Sequence, residues 1–399
     1  MMKNLVVLFA GADMRYALSA DFDGNSAFTL ALLWAREVAA RGDGDVVVFT
    51  IPAYKETIEA AGASAVVKDS WTNADIAAEL AAACTRCKAD YAVYAWADSP
   101  FLNAALTAEL VQLHTKYKAE YSFADGFAYG LTPEVVDKGA AAIIAALGRD
   151  SQKAAGGKRA SRDALFSIMS GDINSFEIET LIADKDYRML RLSFDCGSRA
   201  TALACTRLYA QLKAKEPRQL DAYALSDLAE KSAGVLQTLP AFYNVQLAAR
   251  YRHQLCYSPY ERYCAARAER GASPLGDMPF ERFSALVADI AATSERAVVS
   301  LSLFGEPLLH PRFADCVREV LRYPQLTAFI ETDGTLVTEA LAAELAALER
   351  DASAGSASTA AAGDALAQSA PRAPAPRVIW CVLLDAADAP LEQVQALAE

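Results

Sequence analysis

Three groups of residues in this 399-residue chain have types and spacings that could do chemistry. The first is Gly305-Glu306-Pro307-Leu308-Leu309-His310-Pro311, followed after one more apolar run by Glu331-Thr332-Asp333-Gly334-Thr335. A carboxylate in such a turn could receive an ammonium group, and Gly305 would let a ligand approach the backbone. The second is Asp98, in Asp98-Ser99-Pro100 at the end of the apolar run Tyr91–Ala97. The third is His253, Cys256 and Cys264, whose spacing is roughly usable for a metal but which nothing else in the sequence supports. Cys84 and Cys87 have redox-motif spacing, yet they sit at a helix end without a second pair, which argues against zinc.

These residues need elements to position them. Val298–Phe304 is a short, β-branched apolar run stopped by Gly305 and Pro307, which reads as a strand. Phe313–Tyr323 places Phe313, Cys316, Val317, Val320 and Leu321 on one helical face. Leu326–Ile330 is a second strand, closed by the Asp333-Gly334 turn. Two strands joined through a helix make a parallel βαβ unit. Earlier, Leu5–Ala10, Val46–Ile51 and Tyr91–Ala97 alternate with helical stretches, the pattern of an open α/β sheet. Ligands of such sheets gather at the carboxyl ends of the strands, where Asp98 falls. Leu106, Leu110, Leu113 and Tyr117 are spaced for burial on the helix that follows, with His114 expected on its surface. The basic stretch Ser151–Arg162 is expected as a mobile loop that could touch an acidic partner.

Composition bounds the possibilities. Hydrophobic residues make up 53% of the chain and charged ones 22%, and the net charge is −12. The length suggests two domains, each able to bury a core. A sequence pI near 4.9 argues against a nucleic-acid backbone binder, which needs a basic face. No apolar run approaches the roughly 18 residues of a membrane span. The amino-terminal apolar run reads as a first strand rather than a signal peptide. Eight scattered cysteines and no secretory signal lead us to expect reduced thiols in the cytoplasm.

The Gly305–Pro311 and Glu331–Thr335 segments resemble radical S-adenosylmethionine (SAM) barrels, in particular those carrying a SPASM domain. The resemblance implies SAM binding at Gly305, Glu306 and Pro307, with Thr332, Asp333 and Asp385 at the ends of later strands. It also implies a [4Fe–4S] cluster held by three cysteines spaced CxxxCxxC. Aligning Arg250 and Pro259 with the family's flanking residues puts Tyr251, Leu255 and Ser258 at those positions, with Cys256 one place out of register. Strands are expected at 242–248, 298–304, 326–330 and 378–384, fewer than such a barrel contains. We therefore expect a fragment, or completion by a partner.

The first part of the chain resembles nucleotidyltransferases of the cytidylyltransferase or sugar-nucleotide type. In that resemblance Asp98 holds a divalent metal, Mg²⁺, together with Asp195, at the end of a closing strand Tyr187–Asp195 before the helix Ala200–Lys213. The family's Gly-rich, Lys-bearing phosphate loop is replaced by Phe9–Tyr16, which keeps Arg15, while Asp13, Asp21 and Asp23 crowd the region. Together the two parts resemble the spirochaete spiro-SPASM family. The expected fold is α/β: a nucleotidyltransferase-like open sheet over 1–217, a helical connector over 218–239, and a partial radical SAM-type barrel over 240–399 with a disordered insertion at 351–376. Three functions follow from the resemblance: a SAM-dependent modification enzyme with a degenerate cluster loop acting on a small molecule, peptide or glycan; a non-catalytic scaffold or regulator; or a metal-dependent nucleotidyltransferase.

Overall fold

The computed structural model describes residues 2–155, 159–212, 221–250, 276–303, 305–363 and 377–382. Tyr251, Leu255, Ser258, His253, Cys256, Cys264 and Asp385 lie outside the described residues. The chain forms two compact units, Met1–Thr238 and Leu239–Glu399.

The first unit is built on seven strands: β1 (Asn4–Ala10), β2 (Asp45–Thr50), β3 (Ser64–Val67), β4 (Tyr91–Trp96), β5 (Tyr121–Asp125), β6 (Glu134–Asp137) and β7 (Ile178–Ile182). Their order is β3-β2-β1-β4-β6-β5-β7. Strands β1 to β4 pair in parallel, β6 runs antiparallel to both β4 and β5, and β5 pairs with β7 in parallel. β1 and β4 are buried along their whole length, as continuous apolar runs in the middle of a covered sheet require.

Several expectations change here. The Tyr187–Asp195 segment is not a strand: it holds a short 3₁₀ turn, Arg188–Leu190, and a single bridge from Ser193 to Tyr129. The stretch expected as a helical connector holds helices over Ala222–Lys231 and Ala233–Leu236, and what differs is that Ala222, Leu225, Ala229 and Val235 join the core of the first unit. On the helix Ala104–Tyr117 the buried face is Leu106, Thr107, Leu110 and His114, while Tyr117 is exposed. His114 is buried rather than solvated. Its Nδ1 lies 2.9 Å from Ser122 Oγ on β5, and burial pushes its pKa down to about 4.

The second unit holds a four-stranded, wholly parallel sheet in the order β11-β10-β9-β8: β8 (Phe242–Asn244), β9 (Ala297–Ser300), β10 (Leu326–Thr332) and β11 (Val378–Val382). Helix Phe313–Leu321 buries the face expected from its periodicity, Phe313, Cys316, Val317, Val320 and Leu321, against Val299, Leu326, Ala328 and Ile330. Burial alternates strictly along β10, so Leu326, Ala328, Ile330 and Thr332 share one side. Helix Glu339–Gly363 continues into the segment expected to be disordered, and its Ala-rich composition has high helix propensity. Among the described residues, no helix is long and apolar enough to cross a membrane.

Candidate functional site

Each unit brings carboxylates to the carboxyl ends of parallel strands. In the second unit, β9 and β10 are spliced just past their paired residues. Ser302 Oγ donates to Glu331 O at 2.8 Å and accepts from Glu331 N at 2.9 Å. Gly305 then passes close to the backbone of the segment that follows β8, where a side-chain Cβ would stand 2.0 Å from Ala248 O. Glu306 N donates to Arg250 O at 2.9 Å, which fixes the turn from the other side. Pro307 opens a 3₁₀ turn, Pro307–Leu309, with Glu306 as its N-cap.

The Glu306 side chain is 1% exposed and is held by three neutral donors. Leu308 N donates to Oε1 at 3.0 Å, Thr332 Oγ1 to Oε1 at 2.9 Å, and Asp333 N to Oε2 at 3.0 Å. Asp333 in turn accepts from Thr335 N and Oγ1, and Gly334 takes a positive φ of 76° in the same turn. Four of the residues singled out for SAM, namely Glu306, Pro307, Thr332 and Asp333, thus meet at one place, with Gly305 beside them. Among the described residues no cation reaches the Glu306 carboxylate. Arg250 commits its guanidinium to Asp277 and Leu309 O instead. Burial pushes the Glu306 carboxyl above its ordinary value, while its three hydrogen bonds favour the ionised form. A donor set of this kind fits an ammonium group on the remaining lone pairs.

The [4Fe–4S] cluster is another matter. It needs thiolates, and the aligned positions carry a phenol, an aliphatic chain and a hydroxyl, so Tyr251, Leu255 and Ser258 do not fit it.

In the first unit Asp98 follows β4 and Asp195 precedes the helix Arg199–Gln211. Cys196 N donates to Asp98 O at 2.8 Å, which ties the two segments together. Both carboxylates converge, and they converge on Arg162. Its Nη2 is 2.6 Å from Asp98 Oδ2 and 3.1 Å from Asp195 Oδ1, and its Nη1 is 3.2 Å from Asp98 Oδ1. Asp195 also accepts from Gly197 N at 2.8 Å, from Thr201 Oγ1 at 3.1 Å and from Ser193 Oγ. Burial pushes the Asp98 carboxyl up and the guanidinium opposes it. Although burial works against its charge, the facing carboxylates hold Arg162 above its ordinary pKa. With a cation already between them, the pair does not fit Mg²⁺, which demands a near-octahedral shell of oxygens. Arg15, the first residue of the short helix Arg15–Ser19 that follows β1, is ion-paired to Asp13 at 2.6 Å.

Arg162 closes the basic stretch expected as a mobile loop, and no spacing in the sequence marks it as a site residue. Its charge was the one available signal. Beside it lies a cavity of about 40 Å³ lined by Tyr94, Trp96, Tyr129 and Glu134 among others. Cys84 is buried, with its thiol pushed up to about 11, and among the described residues no group of three or more His, Cys, Asp or Glu side chains is arranged to hold a metal.

Comparison with known proteins adds the following. No family model matches the chain. The chain is 38% identical over 189 residues to an uncharacterized protein of Treponema pallidum, a match covering 47% of this chain and 48% of that protein. It thus spans about half the length of this relative. It is also 38% identical over 76 residues to the tungsten-containing aldehyde ferredoxin oxidoreductase cofactor-modifying protein of Pyrococcus furiosus, covering 19% of this chain and 21% of that one. Among solved structures it is similar to a cytidylyltransferase of Leptospira borgpetersenii, with 14% identity, 59% of this chain and 98% of that chain covered, and a TM-score of 0.48.

Proposed function

We propose that this chain is a two-unit binding protein whose second unit takes the amino-acid end of SAM, with its ammonium group on Glu306, and whose first unit carries no metal-dependent nucleotidyl transfer. The observation that carries the reading is the Glu306 carboxylate: buried, fixed by two backbone amides and one hydroxyl, and without a counter-cation among the described residues. A buried carboxylate held only by neutral donors has strong reason to accept a cation, because its charge is poorly solvated where it stands. The sequential parallel order of β8 to β11 supports a singly wound βα architecture, which presents its ligand groups at the carboxyl ends of the strands.

SAM would meet Glu306 through its ammonium, with Thr332 and the Asp333 turn fixing the carboxylate's orientation. What SAM supplies when bound is a recognisable amino-acid end and an activated sulfonium. Reductive cleavage is no part of this reading, since the thiols that would hold the cluster are replaced. The chain therefore acts as a scaffold or regulator that senses its ligand.

Equilibrium dialysis of the full chain against SAM tests this. We expect saturable, one-to-one binding that weakens by about tenfold or more in Glu306→Gln, the loss of a charge-assisted hydrogen bond. Asp98→Asn, in the other unit, should leave the affinity unchanged. No saturable binding, or equal binding by Glu306→Gln, would overturn it.

A further inference from the structure

We infer that Arg162 is a resident counter-cation of the first unit: it occupies the position between Asp98 and Asp195 that a divalent metal ion would take, and so keeps such ions out. This inference concerns the other unit and stands apart from the reading of Glu306.

The geometry converges on one nitrogen. Nη2 of Arg162 contacts an oxygen of each carboxylate, at 2.6 and 3.1 Å. Gly197 leaves the space for it. A Cβ at that position would lie 2.5 Å from Nη2 and 3.0 Å from both Asp98 Oδ2 and Asp195 Oδ1, so any side chain there would intrude on the nitrogen and on the oxygens it bridges. The guanidinium is fixed over two aromatic faces, with its central carbon 4.4 Å from the Trp96 ring centroid and 4.9 Å from that of Tyr129. Nη1 also donates to the Tyr129 hydroxyl at 3.0 Å. Guanidinium suits this role: it is planar, permanently charged and weakly hydrated, so it can be held by stacking and by carboxylates at once.

The contact is not an incidental surface pair. The Asp98 and Asp195 side chains are 3% and 7% exposed, against 30% for Arg162. A metal ion entering here would have to displace a stacked cation and leave its charge partly buried, which is costly. The remaining acceptor capacity of Asp195 is taken by Gly197 N, Thr201 and Ser193.

Titration of the full chain with Mn²⁺, reading free Mn²⁺ by electron paramagnetic resonance, tests the inference. We expect no stoichiometric binding by the wild type at millimolar Mn²⁺. Arg162→Met should bind Mn²⁺ at least about tenfold more tightly than the wild type, and the gain should vanish in the Arg162→Met, Asp98→Asn double variant. Binding by the wild type that Asp98→Asn abolishes would overturn the inference, as would a folded Arg162→Met chain with no gain. Should Arg162→Met fail to fold, the wild-type melting temperature decides, since any ion that binds the folded state raises it. A midpoint unchanged between EDTA and Mn²⁺ supports the inference. A rise with Mn²⁺ that Asp98→Asn removes overturns it.

Discussion

Asp98 and Glu306 occupy corresponding positions in two different sheets: each is a buried carboxylate just beyond the carboxyl end of a parallel strand. Their partners differ in kind. Asp98 meets a guanidinium that also reaches Asp195, so charge is balanced from within the chain. Glu306 meets only amides and a hydroxyl, so its orientation is fixed while its charge is left for something else to balance. The difference teaches that hydrogen bonding and charge compensation are separable. A site preorganised by neutral donors is poised for a cationic ligand, whereas one closed by its own arginine is complete as it stands.

The sharpest way to break this comparison is to delete the internal cation. Arg162→Met strands two buried carboxylates and should cost the first unit about 3–5 kcal/mol in urea unfolding, with the second unit's transition unchanged. A loss below about 1 kcal/mol would place the pair among ordinary surface contacts and dissolve the contrast.

A third carboxylate, partly buried but with one oxygen fully enclosed, sharpens it. Glu134 Oε2 has no protein hydrogen-bond partner, and burial pushes this carboxyl up to about 8. Between its unfolded value of 4.5 and about 8, the folded chain keeps a proton that the unfolded chain has released. Stability should therefore fall as pH rises through that window and level off above it, and the slope should disappear in Glu134→Gln. An identical pH profile in wild type and variant would assign the slope elsewhere.

Around Glu306, position matters as well as charge. Gly305→Ala would drive a methyl group against Ala248 O and should cost the second unit about 1–3 kcal/mol, measured by thermal unfolding. Glu306→Gln should cost about 1–2 kcal/mol, since the amide oxygen can still accept from Leu308 N and Thr332 Oγ1 while Asp333 N loses its acceptor. Its effect belongs to the ligand. A large stability loss from Glu306→Gln would mean that the carboxylate is structural.

What was legible in the sequence was local. Strand, Gly-Glu-Pro turn, helix and strand follow from punctuation and periodicity over 297–338, and the alternation along Leu326–Thr332 puts Thr332 on the side that faces Glu306. Asp98 was legible as a strand-end residue. Arg162 was not, because its partnership with Asp98 spans 64 residues and is made by tertiary packing rather than spacing. Strands β3 and β6 are four residues each, too short to show a period. His114 carries a signal of its own: with Leu106 and Leu110 it falls at i, i+4, i+8, the buried face of its helix.

One measurement addresses the central contrast directly: native mass spectrometry of the wild-type chain incubated with SAM and Mn²⁺ together. We expect a single adduct of the mass of SAM and no stoichiometric Mn²⁺. A stoichiometric Mn²⁺ adduct without SAM would contradict it, because the site described as closed would then be the open one.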